Sequence, residues 1–308
     1  MAKRSVLFYR DFERYSGGHQ KVFDYFSHLN SSDDYRPEIS FSRRSQQNSL
    51  NPWFPDYVGV DFTPREYDYL FLAGMDWNVY SKECIDPEKP VINLIQHVRH
   101  ALEGENVYPF LKNRAIRICV SPEVESAIKK LANGPVITIA NGIDIPQVKA
   151  EKIHEVYIAG QKNLEMAKAL KDRVDAVIQT EFLSRSEFIM QLAAAKIAVV
   201  LPHPTEGFFL PALEAMKLAH IVIVPDCIGN RSFCKDAEKK GGNCLMPSYD
   251  IEGIVGAIQT AKEILSDKGR LSQLQRNALK TVKYHSISRE RREFLNLMSQ
   301  IDELWYAA

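Results

Sequence analysis

The sequence lacks most of the signatures that would announce its chemistry. Its five cysteines (Cys84, Cys119, Cys227, Cys234 and Cys244) form no Cys-x-x-Cys pair and are odd in number. That argues against a disulfide framework and for reduced, mostly structural thiols. No run approaches the ~18 apolar residues that a membrane-spanning helix needs. The opening, MAKRSVLFYRDFERY, returns to charge after five uncharged residues, too soon for a signal-peptide core. The 39 basic and 39 acidic side chains cancel to zero, so no overall field draws the chain to nucleic acid or anionic lipid. No Gly-x-Gly-x-x-Gly follows a strand, and Gly-x-x-x-x-Gly-Lys-Ser/Thr, Gly-x-Ser-x-Gly and His-Glu-x-x-His are all missing. A dinucleotide dehydrogenase, a P-loop NTPase, a serine hydrolase and a zinc protease therefore each lack their motif. The expectation is a soluble cytoplasmic protein with no nucleic-acid partner and at most peripheral contact at the inner membrane face.

What is present is alternation. Apolar runs at residues 5–10, 37–42, 67–74, 91–96, 116–121 and 136–141 are followed by a second set at 155–160, 174–179, 197–202 and 221–226. Most show no polar alternation, the pattern of strands buried on both faces of a parallel sheet. Between them, helical periods occupy 18–29, 122–132, 164–171, 186–195 and 211–219, with more after residue 250. Repeated strand-then-helix units predict an α/β protein with doubly wound sheets. The 308 residues are too many for one comfortable core. The polar stretch 141–155, NGIDIPQVKAEKIHE, opens with a turn signal and is the natural seam. We therefore expect two Rossmann-like parallel-sheet domains, at 1–145 and 146–285. An amphipathic helix within 286–308 would cross back to the first.

The segment 197–226, IAVVLPHPTEGFFLPALEAMKLAHIVIVPD, is the most informative. A buried strand ends near Pro202, and a helix begins near Pro211, a residue suited to a first turn. The amides from Phe209 to Ala212 should lie open at the helix start, where the dipole favours an anion. Gly207 lets backbone approach a ligand closely. Glu206 lies before this helix and Glu214 about one turn inside it. Two carboxylates there would repel phosphate, but they suit the hydroxyls of a sugar and a ribose. The carboxyl end of a strand in an open α/β sheet is also where ligands bind.

The string EGFFLPALEAM, with Glu206 and Glu214 seven residues apart, resembles the E-x7-E motif of the retaining family-four glycosyltransferases. The resemblance extends outward through VITIANGID (136–144), ICVSPEV (118–124), SGGHQKV (16–22) and CIGNRSFCKD…GGNCLMP (227–247). It implies the GT-B fold, two Rossmann-like domains facing a cleft. It also implies transfer of a sugar, with retention, from a nucleotide-diphospho-sugar to a saccharide or lipid-linked hydroxyl acceptor. The setting it implies is the assembly of surface polysaccharide or glycolipid.

On this resemblance Glu214 would hold the ribose and Glu206 the donor sugar. The amides of Phe208 and Phe209 would face sugar and phosphate, in a loop shared with Gly207 and Leu210. Gly17 and Gly18 would lie under the donor phosphates, and His97 would stand near the reacting sugar. No metal cofactor is implied, and the chain has no Asp-x-Asp. The family's Gly-Arg followed by Lys-Gly is replaced by Gly160-Gln161-Lys162-Asn163. Lys162 would then contact phosphate, with Arg231 or Arg185 as the second cation. His203 and His220 replace the small residues usual at their positions.

Each assignment has a plainer alternative. Glu206 and Glu214 are otherwise solvated glutamates, Gly17-Gly18 a simple turn, and Lys162 a helix-start lysine. His97 and His100 are too closely spaced for a helical zinc pair; His100 and Arg99 are weaker functional candidates than His97, and His19 reads equally well as a surface residue. Tyr67 and Tyr69 read as sheet packing. Two functional alternatives stay open: a GT-B epimerase or phosphorylase, and a non-catalytic partner that binds nucleotide sugar.

Overall fold

A computed structural model describes residues 2–80 and 85–307, so Cys84 lies outside the described residues. Six strands come first: β1 (Arg4–Arg10), β2 (Tyr35–Phe41), β3 (Tyr69–Ala73), β4 (Val91–Ile95), β5 (Ile116–Cys119) and β6 (Val136–Thr138). They alternate with α1 (Gly17–Asn30), the short α2 (Trp77–Tyr80) and α3 (Pro122–Ile128). Then follow β7 (His154–Ala159), α4 (Leu164–Lys171), β8 (Val177–Gln179), α5 (Arg185–Ala194), β9 (Ala195–Val200), α6 (Leu210–Leu218) and β10 (Ile221–Ile223). Four helices close the chain: α7 (Ile251–Ser266), α8 (Lys268–Tyr284), α9 (Ile287–Met298) and α10 (Ile301–Tyr306).

Two compact units result, one of Met1–Ala140 with Ser288–Ala308 and one of Asn141–Ile287. The first holds a sheet in the order β2-β1-β3-β4-β5-β6, the second a sheet in the order β10-β9-β7-β8. Every pairing in both is parallel. All residues of β3 and β4 are buried, because helices cover both faces, and this is why those runs show no polar alternation. Of the edge strands, β6, β8 and β10 keep only three residues each, while β2 pairs along seven.

In the amino-terminal unit Phe8 stacks on Phe71 at 4.5 Å, and Phe294 of α9 meets Tyr25 edge-on at 4.6 Å. The carboxyl-terminal amphipathic stretch is two helices, not one. The backbone turns at Ser299-Gln300, where Gln300 N–H donates to the Leu297 carbonyl at 2.9 Å. Its apolar period runs through the break, so the sequence gives no sign of it. In the second unit Val156, Ile158, Ile197, Val199, Ile221 and Ile223 form the sheet's share of one core with Ile254, Ile258 and Ala261 of α7. Cys119, Cys227, Cys234 and Cys244 are buried thiols with no disulfide. No described helix is long and apolar enough to cross a membrane.

A buried ion cluster fixes α9 to α1. Lys21 Nζ lies 2.6 Å from Glu290 and 2.8 Å from Asp24, and His28 Nε2 lies 3.0 Å from Glu290. Burial opposes the Lys21 charge, but Glu290 and Asp24 outweigh it and hold the ammonium pKa above its usual value. Removing one partner strands the other charge in the interior. Glu290→Ala should therefore cost about 3–5 kcal/mol, read as a lower denaturant midpoint for the transition that exposes the aromatic core around Phe294. A midpoint equal to wild type would show that the cluster is not what holds α9.

Candidate functional site

In the second unit the chain winds from β7 outward to β8, then returns across β7 to β9 and β10. The order reverses between β7 and β9, and the crevice outside their carboxyl ends is where an open parallel sheet receives a ligand. Leu201 N–H donates to the Ala159 carbonyl at 3.1 Å, holding the two strand ends together. The loop after β7 carries Lys162, and the loop after β9 carries Glu206.

These two side chains form an ion pair, and Lys162 Nζ also lies 5.2 Å from the centroid of the Phe209 ring. Glu214, one turn into α6, accepts from Arg185 Nε at 3.4 Å. Arg185 also donates to the Asp144 carbonyl, tying the start of this unit to the site. Both glutamates are only 6% exposed. Burial raises the Glu214 pKa above the usual carboxylate value, while Arg185 and, at longer range, Lys162 pull it back. The structure thus brings Lys162, Glu206 and Phe209 into one group and Glu214 with Arg185 into another beside it.

Close backbone packing sets the loops. A side chain at Gly229 would lie 2.6 Å from the Glu206 carbonyl oxygen, and one at Gly160 would lie 2.3 Å from Ala167 Cβ. Tyr249 donates to the Pro202 carbonyl at 2.5 Å and accepts from Asn163, the residue that caps α4. Gly207 is buried, and the Phe208 ring turns inward to stack on Phe233 at 4.6 Å. The amides differ from expectation. Helix α6 starts at Leu210, Phe209 N–H donates to the Gly229 carbonyl at 3.4 Å, and Ala212 N–H donates to the Phe209 carbonyl at 3.1 Å. The reason is the turn at Cys227–Asn230, which brings its own acceptor against this loop. Gln161, in the loop after β7, has a buried Oε1 with no hydrogen-bond partner among the described residues.

Arg231 is engaged elsewhere: its guanidinium grips Asp226 at 3.0 and 2.8 Å and lowers that carboxyl's pKa. His203 fastens its own turn through Thr205 Oγ1 at 2.9 Å. The His220 pKa lies below its usual value through burial, with Lys152 and Lys196 adding to the effect.

In the amino-terminal unit Gly17 opens α1 with free space where a side chain would project. A side chain at Gly18 would lie 2.8 Å from the Gln96 amide oxygen. Gln96 in turn donates to the Gly18 carbonyl at 3.2 Å. His97 follows β4, and its carbonyl accepts from His100 Nδ1 at 3.0 Å. His100 is buried with its Nε2 unpartnered among the described residues, and burial lowers its pKa to about 4. Tyr69 donates to Asp302 at 2.9 Å, and Tyr67 donates to Glu38; both rings are sheet packing.

Sequence reasoning missed a third group. Arg10, ending β1, donates to Asp76 at 2.7 Å and lies 3.0 Å from His19 Nδ1. Burial raises the Asp76 pKa to about 6 against the pull of Arg10 and lowers that of His19 to about 4. Arg10 and Asp76 lie 66 residues apart with no motif joining them.

The Glu214 environment makes a pH prediction. Its folded pKa is raised, so its ionised form costs stability once pH exceeds the unfolded value of ~4.3. Arg185 offsets part of that cost. Arg185→Met should therefore match wild type near pH 4 and fall behind as pH rises through 5–7. The gap should reach about 1 kcal/mol, allowing for the half-exposed guanidinium. Urea unfolding at the two ends of that range measures it; a pH-independent gap would assign Arg185 a packing role.

Residues 143–263 match the family described as Glycosyl transferases group 1. A search of curated proteins finds no match. Among solved structures, HepE of Anabaena in complex with UDP-glucose is similar with a TM-score of 0.74 at 12% identity, covering 96% of this chain and 99% of its own. A sucrose-phosphate synthase from Thermosynechococcus elongatus gives 0.69 at 14% identity, covering 98% and 100%. A glycosyltransferase from Rickettsia africae gives 0.68 at 12%, covering 98% and 99%. The two parallel sheets are thus those of the GT-B fold, and the match to the glycosyltransferase group 1 model falls on residues 143–263, which contain the β7/β9 reversal.

Proposed function

We propose that this chain moves a sugar from a nucleotide-diphospho-sugar to a hydroxyl acceptor with retention of anomeric configuration. One observation carries the reading: two buried carboxylates, each matched by a cation, stand at the reversal point of the second sheet. A diphosphate arriving there meets Lys162, while Glu206 and Glu214 accept from the hydroxyls of sugar and ribose. The bond that breaks joins the anomeric carbon to a diphosphate oxygen, and fixed cations that stabilise the departing charge lower the barrier. Gln161 Oε1 is a further buried acceptor for a donor hydroxyl. Support for the donor class comes from HepE, which has been solved with UDP-glucose and with UDP and glucose. A UDP-sugar is therefore the first donor to test. Placement in surface polysaccharide or glycolipid assembly rests on the sequence resemblance.

Gln161 at the arginine position favours one second reading, a partner that binds nucleotide sugar without turning it over. Slow hydrolysis of the donor in the absence of acceptor is expected of the transferase and not of the binder.

The two glutamates should separate by readout. Glu214→Ala should weaken binding of the bare nucleoside diphosphate by roughly 1–3 kcal/mol, the cost of leaving ribose hydroxyls without their acceptor. Glu206→Ala should leave that affinity nearly intact and lower turnover of the full donor. Negligible effects of both changes on affinity and turnover would remove the assignment.

Lys162 carries the phosphate prediction, and the proposal includes catalysis without a metal. Lys162→Ala should raise the apparent donor constant about tenfold or more, since one charge-assisted contact is worth roughly 1.5–3 kcal/mol. Transfer should persist in EDTA. Strict dependence on added magnesium or manganese would assign the leaving charge to a metal instead.

A further inference from the structure

Within the second unit, the loop that carries Glu206 is backed by three rings. Glu206 meets Lys162, but two residues later the Phe208 ring turns inward. There Phe208, Phe233 and His285 form a closed triangle. The centroids lie 4.6 Å apart for Phe208 and Phe233, 5.2 Å for Phe208 and His285, and 5.6 Å for Phe233 and His285. These are separations at which aromatic rings attract. All three side chains are buried. Each corner comes from a different segment: the loop after β9, the chain after the Cys227–Asn230 turn, and the end of α8.

Two of the corners are fixed by hydrogen bonds. His285 ends α8, and its N–H donates to the Thr281 carbonyl at 3.1 Å. Its own carbonyl accepts from Ile143 N–H at 2.9 Å, and its Nδ1 lies 3.2 Å from the Asn141 carbonyl. A carbonyl oxygen only accepts, so Nδ1 carries a proton and donates, which sets the rotation of the ring. Asn243 Nδ2 donates to the Phe233 carbonyl and to Thr281 Oγ1, at 2.8 Å each. Phe233 and His285 are thus both tied to Thr281, one through Asn243 and one through the backbone.

Phe208 meets this frame through its ring. Gly207 beside it adds no side chain to restrain the backbone. On the other side the Phe209 N–H reaches the Gly229 carbonyl at 3.4 Å, the long end of a hydrogen bond. The buried ring is therefore the firm anchor between Glu206 and α6.

We infer that His285 is a positioning residue for the transfer: by fixing Phe208 it sets the Glu206–Phe209 backbone, and with it the place where the Glu206 carboxylate meets the donor sugar. The inference rests on the proposed glycosyl transfer. His285 acts through Phe208 and touches no donor atom. Its removal should therefore show in turnover rather than in affinity for a nucleoside diphosphate.

Two variants separate the ring from its hydrogen bond. H285F keeps a ring in the triangle and loses the Nδ1 donor, whereas H285N keeps an amide donor for the Asn141 carbonyl and loses the ring. With UDP-glucose and no acceptor, H285N should slow donor hydrolysis at least about tenfold, the scale of loss from a displaced catalytic group. Its UDP affinity by calorimetry should stay within about threefold of wild type. H285F should recover most of the lost turnover. F208L, which thins the same contact from the loop side, should reproduce the H285N pattern, and it carries the test if H285N does not fold. Unaltered turnover in H285N or F208L, equal losses in H285N and H285F, or turnover and UDP affinity falling together would overturn the inference. Amide exchange of the ligand-free proteins needs no donor. H285N or F208L should exchange faster than wild type and H285F in peptides covering 206–212, with peptides of the amino-terminal sheet unchanged. Wild-type exchange at 206–212 in those variants would overturn the inference. A wild type that neither binds UDP nor hydrolyses the donor would instead count against the proposed transfer, and the exchange result would still decide the positioning.

Discussion

A carboxylate that is only 6% exposed must meet a cation or hydrogen-bond donors, or take up a proton, and the site of the second unit is organised by that constraint. Glu206 cannot sit charged at the end of β9 unless Lys162 comes to it, and Lys162 comes from the end of β7, the adjacent strand. Glu214 cannot sit inside α6 unless Arg185 reaches it from the start of α5. The close contacts at Gly160 and Gly229, and the Tyr249 hydroxyl on the Pro202 carbonyl, hold those loops where the pairs can form. A ligand with negative charge and several hydroxyls can exchange for these internal partners. In the proposed transfer the phosphate would take the cation, and the hydroxyls would take the acceptors.

The amino-terminal unit applies the same solution to other groups. Asp76 is buried at the β1/β3 reversal with Arg10 as its cation, and Glu290 is buried under α9 with Lys21 and His28. The first pair lies at the strand carboxyl ends, where a ligand can arrive. The second is closed over by aromatic rings of α1 and α9 and serves only to fasten a helix. The two pairs thus differ in their place in the fold, one at the strand carboxyl ends and one beneath α9.

The strands were legible because doubly covered parallel strands are written as uninterrupted apolar runs, and all ten runs became strands. Glu206 and Glu214 were legible because one helix start places them, within a local motif. What could not be read involves distant pairing. Glu206 and Lys162 are 44 residues apart, Glu214 and Arg185 are 29, and Arg10 and Asp76 are 66. No local period encodes such meetings; they follow from strand order. The same holds for the Phe209 amide, which the Gly229 carbonyl takes, and for Gly18, which packs on Gln96 while Gly17 faces open space. The break between α9 and α10 was hidden because the apolar face continues through it.

The central claim is that a nucleoside diphosphate is held by the loops after β7 and β9. Amide hydrogen exchange of the full chain, with and without saturating UDP, GDP or ADP, tests it most directly. The account predicts that one of these nucleotides slows exchange in peptides spanning 160–164 and 203–214, with smaller changes along β8 and α7. Unchanged exchange in both loops with every nucleotide, or protection confined to peptides outside them, would contradict it.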